Sequence, residues 1–431
     1  MKNLLILALI TISFTAAAFA SGASEGDGAQ NGSKEIMTAM FLGSSQDQAV
    51  VDIIKEVTAD FNANNPYNVE FRIETYENEQ YKTKLTTAMV SNSVPDVFFT
   101  WSAGYLQPFI EGGKVLPLDT FLDADSEWTS RFNEGVFGPV TYYNSVYAVP
   151  HGMTVAAVFY NKEIFDKLGL SVPESYDEFK SVCDTLNENG IAPISVPVRD
   201  AWVAGQFLQQ LTNGVGGLDT FNGTKAGTVK WNDASYVKAG KLLNELVDIN
   251  AFPSGYLGMT YDEGRALFIS GEAAMFYMGS WEVSPLSDDS LPIAGKIGVF
   301  NLPPMNPNTG NVALGDVDQC LAVSAKTKNA EAAVAYIKLF SDIKAQEAYA
   351  YNANYLLSTK TQLDSGKLSP LFLEISNFQQ DLTGVTPWLD RVFGAGEGVE
   401  FNNAAQAIIA GMDPQEKLDV LQQFAEVNAT R

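Results

Sequence analysis

The pattern of hydrophobic and polar residues in the first part of the chain predicts strands that alternate with helices. Residues 36–42 form a continuous apolar run, which is typical of a strand covered on both faces. Apolar residues recur with helical spacing over 50–61 and alternate with polar residues over 69–74, which predicts a helix and then a strand. A second helix over 81–90 and a strand over 97–99 complete a β-α-β-α-β order, which indicates a parallel sheet.

The rest of the chain continues this alternation, so we expect a second α/β lobe. Ser175 and Glu178 have the spacing of a capping box, and Gly190 is placed to end the helix that they begin. The other predicted elements are strands over 155–160, 192–196 and 272–277, and helices over 201–212, 235–247, 330–343 and from Asp413 onward. Two such lobes favour a ligand site in the cleft between them, because the loops at the carboxyl ends of the strands gather there.

The N-terminal segment has the pattern of an export signal. Lys2 precedes an apolar run, and Ala18 and Ala20 frame a cleavage site, so we expect residues 1–20 to be a signal peptide. The small, polar residues 21–34 are expected to be a flexible leader. We therefore expect a periplasmic protein whose first mature residue is Ser21 rather than a lipidated cysteine.

Composition narrows the function classes. A chain of 431 residues suggests two or three domains, and its net charge of −24 makes nucleic acid and anionic membrane surfaces poor partners. One histidine, His151, and two cysteines are too few for a zinc site built from such ligands, and we expect no cofactor and no resident metal. Cys183 lies on the apolar face of a predicted helix and Cys320 in a strand-like stretch, so we expect both thiols to be buried and free.

Searches for catalytic motifs leave little chemistry to assign. The chain lacks a glycine-rich phosphate loop and a Gly-x-Ser-x-Gly elbow, so neither nucleotide binding nor that type of hydrolase is indicated. A glycosidase would need one acid and one nucleophile, but the many carboxylates do not single out a pair. We therefore expect a protein that is not an enzyme.

Tryptophans are the most informative candidate site residues. Four of the six lie in loops, several of them directly after predicted strands: Trp101, Trp202, Trp281 and Trp388. Their flat apolar faces suit the C–H-lined face of a pyranose ring. Arg199 and Asp200, just before Trp202, offer a donor and an acceptor for hydroxyl groups. Trp128 and Trp231 lack this setting and are expected to be structural.

Three segments of the chain resemble a known family. Residues 94–122 contain a Pro-Asp-Val-aromatic strand and a Gly-x-Val-x-Pro-Leu-Asp ending, 146–179 contain Tyr-Asn-Lys-x-x-Phe, and 259–281 end in Gly-Ser-Trp. In these motifs the chain is similar to extracellular solute-binding protein family 1, the sugar-binding proteins of ABC importers that include maltose-binding protein.

The resemblance implies a two-lobed α/β periplasmic-binding-protein fold, type II-like, with the ligand cleft between lobes joined by a hinge. It implies an N-terminal lobe of residues 35–150 and 316–368, and a C-terminal lobe of residues 155–312 and 369–431. The family's site residues carry over to positions in a loop after the first strand, on the two crossings and at the aromatic contacts: Ser44, Gln46, His151, Asp316, Trp101 and Trp281.

The resemblance further implies the substrate-binding component of an ABC importer. It would bind a mono- or oligosaccharide, close around it and deliver it to permease subunits in the membrane. We expect a monomer that carries out no chemistry on the sugar. A binder of a non-sugar solute on the same fold remains an alternative, and a secreted glycoside-active enzyme is a further one.

Overall fold

The computed structural model describes residues 34–43 and 48–429. The predicted signal peptide, most of the predicted leader, and Ser44 and Gln46 lie outside the described residues. The strands in the described ranges are β1 Glu35–Leu42, β2 Val69–Tyr76, β3 Val97–Thr100, β4 Thr141–Tyr142, β5 Ser145–Val146, β6 Val149–Asn161, β7 Ala192–Ser195, β8 Ala273–Gly279, β9 Ile297–Phe300, β10 Val312–Val323 and β11 Gly384–Thr386.

Helices connect and cover these strands. Those in the described residues are α1 Gln48–Asn64, α2 Asn78–Ser91, α3 Gln107–Glu111, α4 Asp119–Ala124, α5 Ser126–Ser130, α6 Lys162–Leu168, α7 Tyr176–Glu188, α8 Ala201–Lys225, α9 Ala234–Asp248, α10 Tyr261–Ser270, α11 Val283–Leu286, α12 Ala330–Leu339, α13 Ile343–Ala353, α14 Pro370–Gln380, α15 Leu389–Val392, α16 Val399–Ile409 and α17 Pro414–Ala429. None of the helices described is both long enough and apolar enough to cross a bilayer.

The first strands confirm the predicted β-α-β-α-β order. β1 pairs in parallel with both β2 and β3, and α1 and α2 are the connections between them. The sheet continues in the order β2-β1-β3-β10-β6-β8-β7, with β9 paired to β6 and β11 paired to β10. Because β10 pairs with β3 at one end and β6 pairs with β8 at the other, these two long strands join the two halves of the molecule.

Buried apolar residues form two clusters, and we name the two lobes by them. The core of lobe one draws on residues 37–149 and 317–353, and the core of lobe two draws mainly on residues 155–314 and 371–425. The segment between them, 354–368, contacts both lobes. Leu356 is buried in the core of lobe two, whereas the Lys360 N–H donates to a carbonyl of lobe one, that of Arg131, at 2.7 Å.

The pairing of β6 with β10 has two opposed irregularities at the crossing between the lobes. β10 carries one extra residue, Asp318, and β6 carries one extra residue, His151, one pair further along. The two insertions cancel, so the ladder returns to its original register. A bulge of this kind changes the direction of the inserted side chain, which gives both residues a place that the strand pattern does not predict.

Two predicted helices have different bounds in the structure. The helix predicted over 201–212 extends to Gly216, and the non-helical Gly217 (φ 59°, ψ −156°) kinks the chain before a second helical segment that ends at Lys225, so α8 consists of two helices. The helix predicted over 330–343 ends at Leu339, and a separate helix, α13, begins at Ile343. The short strands β9 and β11 are not predicted by the sequence pattern, since three or four residues show little periodicity.

The predicted helix caps are present with one difference. The Glu178 N–H donates to Ser175 Oγ at 3.2 Å, but the Glu178 carboxylate accepts from the Glu174 N–H rather than from Ser175. Only half of the capping box therefore forms. Gly190 follows the helix with φ 71°, as its predicted role requires.

The two cysteines are free and buried, as predicted. Both thiols are inaccessible to solvent, and they belong to the cores of different lobes. Burial raises the pKa of Cys183 to about 12, because a thiolate would lose its hydration there.

Candidate functional site

Three of the four predicted tryptophans form a row in lobe two. The ring centroids of Trp202 and Trp281 are 6.1 Å apart, and those of Trp281 and Trp388 are 5.9 Å apart. Tyr261 extends the row, with its ring 5.9 Å from Trp202. Trp202 lies at the start of α8, Trp281 follows β8, and Trp388 precedes α15. Tyr261 is the first residue of α10, so the fold brings together segments that are distant in sequence.

A chain of polar contacts holds the middle of this row in place. Trp281 Nε1 donates to Tyr261 Oη at 2.7 Å, and Tyr261 Oη donates to the carboxylate of Glu282. Glu282 is fully buried and accepts two hydrogen bonds of 2.7 Å from Arg265. The Trp281 indole is therefore held through its nitrogen, and the side chain is half-buried.

A polar stripe on the buried helix α8 positions the segment that carries Trp388. Gln206 Oε1 accepts from Trp388 Nε1 at 3.4 Å, and Gln209 Oε1 accepts from the Leu389 N–H at 2.9 Å. Asn213 Nδ2 donates to Thr386 Oγ1 at 2.8 Å. Sequence reasoning missed these residues, although their spacing of three or four along a mostly apolar helix was a usable signal.

Lobe one supplies the opposite wall. Trp101, after β3, packs against Tyr105 with ring centroids 4.8 Å apart, and Lys82 Nζ lies 5.5 Å from the Trp101 ring. Gly104 lies so close to α15 of lobe two that an added Cβ would come within 2.7 Å of the Arg391 carbonyl oxygen. The lobes are therefore in contact at this point, and glycine permits the close approach.

Charged groups of the two lobes also face each other across the cleft. Lys82 and Glu79 of α2 are close enough to Asp200 and Asp390 of lobe two to influence their pKa values. The carboxylate of Asp390 accepts a hydrogen bond of 3.0 Å from Asn402 Nδ2. Burial raises the pKa of Asp200, and the nearby Glu79 adds to this effect.

Arg391 and Asp318 form an ion pair between the lobes. Arg391 lies on α15 with its guanidinium carbon 4.4 Å from the Trp388 ring centroid, whereas Asp318 is the inserted residue of β10. Burial lowers the pKa of Arg391 to about 9, so it stays protonated near neutral pH. Asp316 lies nearby, and burial raises its pKa to about 6 against the opposing effects of the Val317 N–H and Arg391.

Several polar atoms around this cleft are shielded from solvent and lack a hydrogen-bond partner among the residues described. They include Tyr105 Oη, Trp202 Nε1 and Asp390 Oδ1. Native proteins rarely leave buried polar atoms unpaired, because each one costs free energy. A polar ligand in the cleft would supply these hydrogen bonds, and both donors and acceptors are available to it.

The predicted site residues differ in how far they reach this cleft. Trp202 and Trp281 are half-buried, whereas Trp101 and Trp388 are only 5% and 3% exposed. Arg199 is exposed, and its Nε lies 4.0 Å from the carboxylate of Asp200. Sequence reasoning missed Tyr261, Asp318, Asp390 and Arg391, which no local motif marks.

His151 lies apart from the other predicted site residues. Its ring is in the core of lobe one, with centroids 5.5 Å from Tyr349, 6.2 Å from Phe99 and 6.3 Å from Phe340. Burial lowers its pKa to about 3, so the imidazole is neutral. The strand insertion directs this side chain into the core, and the structure does not bring it to the tryptophan row.

Comparison with known proteins identifies relatives along most of the chain. The chain is 29% identical over 203 residues to an uncharacterized ABC transporter extracellular-binding protein of Pyrococcus horikoshii, covering 46% of this chain and 45% of that protein. It is 25% identical over 312 residues to the multiple sugar-binding protein of Streptococcus mutans, covering 69% of each. The match thus spans less than half of the first relative and about two thirds of the second.

A solved structure supports the same grouping. It comes from work on xylan utilization by the thermophilic bacterium Caldanaerobius polysaccharolyticus, and it superposes with a TM-score of 0.84 at 28% identity. The superposition covers 90% of this chain and 99% of that one, so the two-lobed periplasmic-binding-protein fold expected from the sequence is confirmed. The family model described as bacterial extracellular solute-binding protein matches residues 44–347. The chain belongs to the bacterial extracellular solute-binding protein family.

Proposed function

We propose that this protein binds an uncharged mono- or oligosaccharide between its lobes and delivers it to the permease of an ABC importer. One observation carries the proposal: a row of aromatic rings in lobe two lies beside shielded polar atoms that lack partners in the described residues. A sugar has both an apolar face for such rings and hydroxyl groups for such atoms. The name of the Streptococcus mutans relative, a multiple sugar-binding protein, supports this class of ligand.

The charges in the cleft favour an uncharged ligand over a polyamine. The carboxylate of Asp318 is paired with Arg391, and that of Asp200 lies 4.0 Å from Arg199. Burial raises the pKa of both Asp200 and Asp390, and Lys82 of lobe one opposes this effect. A polyamine would be bound best by carboxylates that the protein leaves without a cation. The arrangement of basic residues beside these acids therefore makes a cationic ligand the weaker candidate.

The same cleft supports a binding role without catalysis. Asp318 is already paired with Arg391, and Asp390 is hydrogen-bonded to Asn402. Burial raises the pKa of Asp390, but a glycosidase needs a second carboxylate that is free to act as nucleophile or base, and Asp318 is held by Arg391. We propose that the bound sugar leaves unchanged, and chromatography of an oligosaccharide after prolonged incubation tests this.

We propose the lobe boundaries and the cellular location that the sequence analysis predicts. Residues 35–150 and 316–368 form one lobe and 155–312 and 369–431 the other, with segment 354–368 in contact with both. We also propose that the protein is exported to the periplasm, loses residues 1–20 and acts as a monomer. N-terminal sequencing and light scattering of the periplasmic protein test these points.

A thermal-shift screen tests the ligand class directly. A ligand that binds only the folded protein raises the melting temperature, by an amount that grows with its concentration over Kd. We expect a rise with one or a few neutral sugars and none with putrescine, spermidine or phosphodiesters. A rise with a polyamine, and none with any sugar, would replace the proposed ligand by a cationic solute on the same fold.

A further inference from the structure

Asp318 has an unusual place in the structure. It is the extra residue of β10 at the crossing between the lobes, and Ser102 Oγ stabilises the adjacent backbone by donating to the Val317 carbonyl at 2.7 Å. The Asp318 side chain is only 5% exposed. A carboxylate is costly to bury unless a cation accompanies it, so this residue needs a partner.

The cation comes from the other lobe. Arg391 pairs with Asp318, and its guanidinium lies 4.4 Å from the ring centroid of Trp388. Trp388 and α15 are in turn held by the glutamines of α8, as described above. Arg391 is therefore positioned by lobe two, while Asp318 is positioned by the β10 bulge at the edge of lobe one.

We propose that the Asp318–Arg391 pair stabilises the closed arrangement of the two lobes over the open one, because it joins α15 of lobe two to the β10 insertion at the edge of lobe one. In the closed form the two charges neutralise each other in a buried place, and in an open form each returns to water. Removing Arg391 alone leaves the Asp318 carboxylate uncompensated in the closed form, whereas removing Asp318 as well relieves that cost. The inference rests on the proposed function only in that closure encloses the ligand.

The pair can be tested on the protein without any ligand. Because both native cysteines are buried, spin labels can be attached selectively to cysteines introduced at the exposed positions Val90 of lobe one and Leu257 of lobe two. Double electron–electron resonance then gives the ratio of closed to open forms from the distance distribution. This readout does not require the sugar to be known, so it can fail or succeed independently of the proposed function.

The variants form a double-mutant cycle. We expect Arg391→Met to lower the closed-to-open ratio at least tenfold, and Asp318→Asn combined with Arg391→Met to recover most of that loss. Arg131→Met is the matched control, because it removes a partly buried pair with Asp342 that lies inside lobe one, and it should leave the ratio unchanged. Circular dichroism of each variant confirms that it is folded.

Two results would overturn the proposal. If the spin-labelled protein with the native pair shows only the open distance, the pair does not hold the lobes together. If the double variant has the same ratio as Arg391→Met alone, Arg391 acts without Asp318 and the two lobes are not coupled through this pair.

Discussion

The two walls of the cleft present their aromatic rings in different ways. In lobe one, Trp101 is packed edge to face against Phe99 at 5.1 Å and Tyr105 at 4.8 Å, and it is almost fully buried. In lobe two, Trp281 is half-buried and is held by a hydrogen bond from its indole nitrogen to Tyr261.

This difference indicates two roles for the aromatic residues: packing in the core and contact with a ligand. A ring that is held by its neighbours' surfaces contributes mainly to the core, because most of its own surface is used in packing. A ring that is held by its polar edge keeps a face for a ligand. Trp101 should therefore matter more for stability, and Trp281 more for affinity.

The largest expected effect is on the wall of lobe one. Trp101→Ala should lower the free energy of unfolding by about 3–5 kcal/mol, because it leaves a cavity among Tyr81, Phe99 and Tyr105. Urea denaturation measures this loss. Trp128→Ala, a buried tryptophan of the same lobe, is the control: it should cost as much stability without changing affinity. A Trp101→Ala protein as stable as wild type would contradict the packing role.

The next largest effect concerns the chain of polar contacts from Arg265 through Glu282 and Tyr261, which holds Trp281 in lobe two. Arg265→Met leaves the buried carboxylate of Glu282 without its cation, and we expect a loss of about 3 kcal/mol in the free energy of unfolding. Because Glu282 also holds Tyr261, and Tyr261 holds Trp281, affinity should fall as well. Calorimetry at a temperature where the variant is folded separates the two effects. Unchanged affinity would mean that this chain of contacts does not orient the ring.

The ring of lobe two itself gives a smaller effect that is confined to binding. Trp281→Ala should weaken affinity by about 1–3 kcal/mol, or one to two decades in Kd, while the unliganded protein stays folded. Isothermal titration with the sugar identified by the thermal screen measures this change. Trp231→Ala is the comparison, since Trp231 is buried, donates to Glu397 at 2.8 Å and should affect stability instead.

The smallest expected effect is on the pH dependence of stability, and it comes from Asp316, which lies near Arg391. The pKa of Asp316 is raised to about 6 in the folded protein, so the native state holds its proton over a range where the unfolded chain has lost it. Stability should therefore fall as the pH rises from about 4 to about 6. Asp316→Asn should remove about 1–2 kcal/mol of this fall. Urea denaturation at pH 4 and pH 7 measures it, and an equal pH dependence in both proteins would show that Asp316 is not responsible.

The sequence predicted much of the local structure, for reasons that can be named. Apolar spacing located β1, α1, β2, α2 and β3, because a buried face imposes its period on a strand or helix. It also placed Cys183 on the buried face of α7. Trp202 and Trp281 were singled out by their position after strands, and the structure places them together in one row.

Only the tertiary structure decided which residues meet. Asp318 and Arg391 are 73 positions apart by their numbers, and neither lies in a motif; their pairing depends on a bulge in one lobe and a short helix in the other. His151 shows the converse: it is the inserted residue of β6, and the insertion directs its side chain into the core of lobe one. Sequence periodicity records which face of an element is buried, but sheet register and the approach of two lobes determine what that face touches.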